Sequence, residues 1–218
     1  MSISAIVFDF DGVLADSEPL HLAAYQQVFS TLGVTLTHED YYANFLGYDD
    51  EGVFKVMASR QGWPLDAAGI AALVAEKSRV FDEVISRHDV LYPGAAAAVE
   101  RLASSYPLGI ASGALRHEIE AVLRSAHLDG HFRFIVAAGD TVESKPAPDP
   151  YVRAAQLHRL PAPVCLAIED SRWGIFSAKQ AGLKCVGITN TYPASQLKSA
   201  DAVIGSLEEF TEELIRSI

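Results

Sequence analysis

The chain alternates short apolar runs with longer stretches of helical periodicity, the pattern of a parallel sheet covered by helices. Strands are predicted at residues 3–10, 108–111, 134–137, 164–168, 185–188 and 202–204. Several of these runs are apolar at successive positions, as strands buried on both faces require. Helices are predicted at 95–104, 117–126, 150–157 and 173–181, and Gly182 supplies a stop for the last of them. The fold class that follows is α/β, a Rossmann-like parallel sheet.

Residues 17–89 interrupt this alternation. They hold no convincing strand and read as several amphipathic helices, with turn signals at Gly33, Gly47, Gly62-Trp63-Pro64 and Gly69. Ser17-Glu18-Pro19 opens the segment as a helix start, with a hydroxyl to cap, an acid near the positive end and a proline in the first turn. Tyr92-Pro93-Gly94 marks the return to the α/β pattern. The expected organisation is therefore a core of residues 1–16 and 90–218 carrying a helical insertion, 17–89, after its first strand.

Composition narrows the partners. Half the residues are hydrophobic, and 28 acidic side chains against 17 Lys and Arg leave a net charge of −11. Such a surface repels nucleic acid and anionic membranes, so neither is expected as a partner. It repels phosphorylated molecules too, so any phosphate site needs its own local cations. Cys165 and Cys185 lie in apolar runs and read as reduced core thiols. The N-terminal residues lead directly into a strand with no basic segment and long apolar stretch, and no run approaches the roughly 20 residues of a membrane span. A cytoplasmic protein is expected.

Ligands of open α/β sheets bind beyond the carboxyl ends of the strands, so the polar residues there carry the candidate chemistry. The first strand ends in Asp9-Phe10-Asp11-Gly12. Two carboxylates at that spacing suit a metal site with one group left able to attack phosphorus, although Asp-x-Asp-Gly also occurs in calcium loops and ordinary turns. Ser112-Gly113 follows the second strand and can offer a hydroxyl and an amide to a phosphate oxygen. Lys145 stands ahead of Pro146, Pro148 and Pro150, a cation on a stiff loop. Glu169-Asp170 supplies hard oxygen ligands of the kind Mg²⁺ takes, or else an acid pair at a helix start. Each has an ordinary structural explanation; all four at one edge of one predicted sheet point to phosphoryl transfer.

In this order the residues resemble the four motifs of the haloacid dehalogenase superfamily, and the resemblance spans essentially the whole chain. Asp9-Phe10-Asp11-Gly12-Val13-Leu14-Ala15-Asp16-Ser17-Glu18 is similar to the first motif of its phosphatase and phosphomutase branch, with Ser112, Lys145 and Glu169-Asp170 matching the other three. The insertion sits where that family carries a cap that chooses the substrate, as in its β-phosphoglucomutase and sugar-phosphatase subgroup. The resemblance implies Asp9 as nucleophile, Asp11 as general acid and base, and Ser112, Gly113 and Lys145 around the transferring phosphoryl group. It implies Mg²⁺ as cofactor, held by Asp9, Asp11 and Asp170 with Glu169 in direct or water-mediated support. The second aspartate, Asp11, favours oxygen leaving groups and hence phosphate esters.

The cap matches less closely. His21 falls where the mutases have a histidine that helps position the acid/base, though a helix-surface histidine explains it equally. Where those mutases grip a second phosphate with arginine, this chain has Leu46-Gly47-Tyr48-Asp49-Asp50-Glu51. Tyr48 is a candidate to face the organic part of a substrate. Lys77 and Arg79 are the nearest cap cations; Lys77 is a candidate substrate contact, yet solvated charges on an amphipathic helix account for both more simply. The expectation is a monophosphate hydrolase acting on a small phosphorylated metabolite, a sugar phosphate above all, and able to work as a monomer. A phosphomutase is the alternative, and a non-catalytic divalent-ion-binding protein a distant one.

Overall fold

A computed structural model describes residues 2–45, 48–85 and 90–218. The Leu46-Gly47 part of the segment compared with the mutases lies outside the described residues, as does the end of the insertion at residues 86–89. The chain divides into two compact units, Met1–Asp16 with Val90–Ile218, and Ser17–Asp89.

The first unit is built on six parallel strands: β1 (Ala5–Phe8), β2 (Leu108–Ala111), β3 (Phe132–Val136), β4 (Cys165–Glu169), β5 (Lys184–Ile188) and β6 (Ala202–Ile204). Their spatial order is β3-β2-β1-β4-β5-β6. Every residue of β1, β2 and β4 is buried, which explains why their sequences are apolar without alternation. β1 lies at the centre, with the sheet growing first to one side and then to the other, so a topological switch point forms beside its carboxyl end.

Four predicted helices of this unit are present. They are α5 (Ala95–Ala103), α6 (Arg116–Ser125), α7 (Asp149–His158) and α8 (Arg172–Gln180), numbered after four in the insertion. Tyr151, Ala154, Ile175 and Ala178 of α7 and α8 share one core with Ala5, Val7, Ala167 and Cys185 of the sheet. The chain moves the opposite way across the sheet through α5 and α6, so right-handed crossovers put these on the other face. The two cysteines are buried, free thiols. A further short helix, α9 (Glu212–Ser217), was not anticipated from periodicity.

The helical unit contains α1 (Glu18–Thr31), α2 (His38–Asn44), α3 (Asp50–Gln61) and α4 (Ala67–Ile85). Its core is aromatic: Tyr25, Phe29 and Phe54 pack ring on ring at 5.3–6.1 Å. Two local expectations are corrected. Ser17 precedes α1, but its side chain makes no cap bond, because its backbone is already helical (φ −87°, ψ −19°). Gly69 marks no turn; it lies in the first turn of α4, where its amide donates to Asp66 Oδ1 at 2.8 Å. Among the described residues no helix is long and apolar enough to cross a membrane.

Candidate active site

The site grows from the carboxyl end of β1. Phe8 pairs with Ile110 of β2 and Ile168 of β4, so the next residue, Asp9, emerges between the ends of two buried strands. Its amide donates to the Ile168 carbonyl at 2.9 Å, which anchors it to β4 just before Glu169. The strand ends there, short of the predicted residue 10. The Phe10 carbonyl instead accepts from the amides of Leu14 and Ala15, curling the chain into a tight loop. Gly12 allows this loop: its φ is +76°, and a Cβ there would collide with the Asp170 carboxylate and Thr191.

Three of the sequence-predicted residues meet directly, and a fourth, Asp170, stands close by. Lys145 Nζ lies 2.9 Å from Asp9 Oδ1 and 2.6 Å from Glu169 Oε1, bridging two carboxylates. Asp9, Glu169 and Asp170 are all buried, and each offers an oxygen within 4.8 Å of the others. Burial first, and the Glu169 charge second, push the Asp9 carboxyl up to about 7 against the pull of Lys145. Asp170 is raised as well, by burial and then by Asp9 and Glu169. Burial opposes the charge on Lys145, but Asp9 and Glu169 outweigh it and hold its pKa above the ordinary value. One ammonium among three buried carboxylates leaves an excess of negative charge, and a hard divalent cation is the group that relieves it. The donor set therefore fits Mg²⁺.

Ser112 continues from β2 on the neighbouring side. It is buried, its amide donates to the Val136 carbonyl, and its Oγ accepts from the Ala114 amide at 3.1 Å. Gly113, beside it, has open space where a side chain would stand. Asp11 is only partly buried, and its charge adds to the upward push on Asp9.

Several residues of the site were not found by reading the sequence. Tyr151 is fully buried and donates its hydroxyl to Glu169 Oε1 at 2.6 Å. Ser171 Oγ donates to Glu169 Oε2 at 3.2 Å. Asn190 Nδ2 donates to the Gly12 carbonyl at 2.8 Å, and the Thr191 hydroxyl bonds Asp170. The last two stand two and three residues beyond the end of β5, so the strand-end rule that found Asp9 and Glu169 reaches them too.

The cap candidates belong to the helical unit. Lys77 is not a solvated charge: it is 1% exposed, forms an ion pair with Asp50 at 2.9 Å and touches His21 Nδ1 at 2.7 Å. His21 stacks on Phe81 at 4.2 Å, and burial, then Lys77, hold its pKa well below the usual range. With Lys77 donating to it, Nδ1 accepts, which in a neutral ring leaves the proton on Nε2. Tyr25 donates to the same Asp50 oxygen. Tyr48 is about half exposed, and Arg79 is an exposed partner of Glu76 and Glu83.

Residues 6–188 match the family model of the haloacid dehalogenase-like hydrolases. Protein CbbY of Rhodobacter capsulatus is 36% identical over 200 residues, covering 88% of each chain. Hexitol phosphatase B of Escherichia coli K12 is 29% identical over 218 residues, covering 96% of this chain and 95% of its own. Among solved structures, a CbbY variant from Rhodobacter sphaeroides in complex with xylulose-1,5-bisphosphate superimposes with a TM-score of 0.84. It is 27% identical, over 95% of this chain and 96% of that one. The match runs from the first strand through the fifth, over the motifs that build the site, and it makes this chain a member of the haloacid dehalogenase-like hydrolase family.

Proposed function

We propose that the protein is a Mg²⁺-dependent phosphatase that hydrolyses a small phosphorylated carbohydrate through a phosphoryl group held covalently on Asp9. The observation that carries this reading is Lys145 shared between Asp9 and Glu169 beside Asp170. A site built only to hold a cation gains nothing from a buried ammonium, whereas a phosphoryl group needs one.

In the first half-reaction an Asp9 oxygen forms a bond to phosphorus as the ester P–O bond breaks in line. Asp11 donates its proton to the departing alkoxide, releasing the alcohol. In the second half Asp11, now ionised, takes a proton from water, whose oxygen attacks phosphorus and breaks the bond to Asp9. Inorganic phosphate leaves and both aspartates are restored. Ser112, Gly113 and Lys145 hold the phosphoryl oxygens throughout, so most of the rate comes from positioning and charge stabilisation. Asp9, Asp170 and the Asp11 carbonyl, with Glu169 in support, would hold Mg²⁺, which would supply positive charge against the phosphoryl oxygens.

Substrate choice is assigned to the helical unit, residues 17–89. Asp49 to Glu51 offer no cation to a second phosphate, and Lys77 is already committed to Asp50. These features support a monophosphate. The CbbY relative crystallised with xylulose-1,5-bisphosphate favours a second reading, a pentulose bisphosphate as substrate.

The test is phosphate release in Mg²⁺ from a panel of hexose, pentose and hexitol phosphates together with xylulose-1,5-bisphosphate. Release from a few members, lowered at least ~10³-fold by Asp9→Asn and stopped by chelation, is expected. Interconversion of glucose 1-phosphate and 6-phosphate in place of release, after priming with a sugar bisphosphate, would show a mutase. Release that survives Asp9→Asn would refute the nucleophile.

A further inference from the structure

We propose that Tyr151 is a positioning residue for this reaction: its hydroxyl holds the Glu169 carboxylate so that Lys145 stays divided between Glu169 and Asp9. The inference rests on the phosphatase reading above and deepens it.

Tyr151 stands in the first turn of α7, fully buried, where an apolar ring would pack as well against the sheet. A phenol at such a place is unfavourable unless its O–H finds a partner. The partner is Glu169 Oε1, at 2.6 Å, the same oxygen that accepts from Lys145 at 2.6 Å. Lys145 Nζ also lies 5.0 Å from the centre of the Tyr151 ring, against its electron-rich face. Ser171 occupies the other carboxylate oxygen, and Gly174 of α8 leaves no room for anything beside it. Glu169 is 0% exposed and thus clamped at both oxygens.

The clamp has an electrostatic consequence. A buried carboxylate with the lysine as its sole strong donor would draw the ammonium wholly to itself. With a phenol sharing Oε1, the demand on Lys145 falls, and the ammonium also reaches Asp9 Oδ1 at 2.9 Å. Tyr151 touches no reacting atom. It acts through Glu169 and Lys145, setting where the cation stands when the phosphoryl group arrives.

The experiment is a double-mutant cycle on the best substrate of the panel, using wild type, Tyr151→Phe, Glu169→Gln and the double variant. Tyr151→Phe keeps the ring and its packing, and a melting temperature within a few degrees of wild type verifies the fold. The expected result is a kcat about tenfold lower with KM within about twofold, and less than about a twofold effect of the same substitution in the Glu169→Gln background. A purely structural hydroxyl would leave kcat unchanged or cost the same factor in both backgrounds, and either outcome overturns the proposal. A wild type that releases no phosphate from any substrate overturns the phosphatase reading and this role with it. An active wild type matched by Tyr151→Phe overturns the role alone.

Discussion

Three donors converge on the Glu169 carboxylate, and the room they leave depends on a side chain that is absent. Gly174 lies in the first turn of α8, and a Cβ on it would overlap Glu169 at carbon and both oxygens. The contact is with a group pinned by Lys145, Tyr151 and Ser171, so it cannot swing aside. Gly174→Ala is therefore expected to destabilise the fold by about 2–3 kcal/mol, even though alanine is the better helix former by about 1 kcal/mol. Urea unfolding measures it, and phosphate release falls along with stability. Asp9 and the Glu169-Asp170 pair were legible in the sequence as charged residues at the end of an apolar strand, and Lys145 as a cation on a stiff proline loop. Tyr151 and Gly174 were not. Each acts through one neighbour, Glu169, that only the fold supplies.

Among the elements, the strands were the most legible, since burial on both faces leaves an unbroken apolar run. The edge strand β3 was placed two residues late: it begins with Phe132-Arg133, and its burial is only partial. The helix α9 has Thr211, whose hydroxyl accepts from the Leu214 amide, followed by Glu212 and Glu213. That is a sound N-terminal signal, but six residues are too few to show a period. The last turn of α7 carries His158, buried against Phe134 at 4.6 Å, with no hydrogen bond of normal geometry at either ring nitrogen. Burial lowers its pKa to about 4. The unfolded chain therefore takes up this proton first as the solution is acidified. The stability it contributes is complete above about pH 6.5 and is lost as pH falls towards 4. The stability of wild type relative to His158→Leu should drop by about 2 kcal/mol between pH 7 and pH 5, as measured by urea titration of both proteins. Groups common to both proteins cancel in that difference. A difference that stays constant across this range would show that His158 titrates normally.

At the scale of the molecule, an acidic protein concentrates three more buried carboxylates around a single lysine. Asp9 and Asp170 have pKa values raised above those of the unfolded chain, so their ionisation works against folding as pH rises above about 4, for Asp9 up through about 7. A divalent cation removes that penalty. At pH 8 millimolar Mg²⁺ should raise the melting temperature by several degrees over chelator, and Asp170→Asn should lose most of the gain. Calorimetry decides it; an equal gain in both proteins would place the ion elsewhere. The helical unit was legible as an interruption of the strand pattern, whereas its buried Lys77 was not, because a lysine in an amphipathic helix reads as solvated until its partners are known.

The chain leaves the α/β unit at Asp16 and re-enters it at Val90, and these two points are bonded to each other. The Asp16 amide donates to the Val90 carbonyl at 2.7 Å, the Tyr92 amide donates to the Leu14 carbonyl at 2.9 Å, and Ala15 bridges Leu91. Exit and entry thus share one small antiparallel clasp. Whatever is spliced between them, of any length or architecture, begins and ends at neighbouring points, so its closure entropy changes only slowly with size. The clasp lets the intervening segment change in length and architecture while the α/β unit keeps its own hydrogen bonds intact.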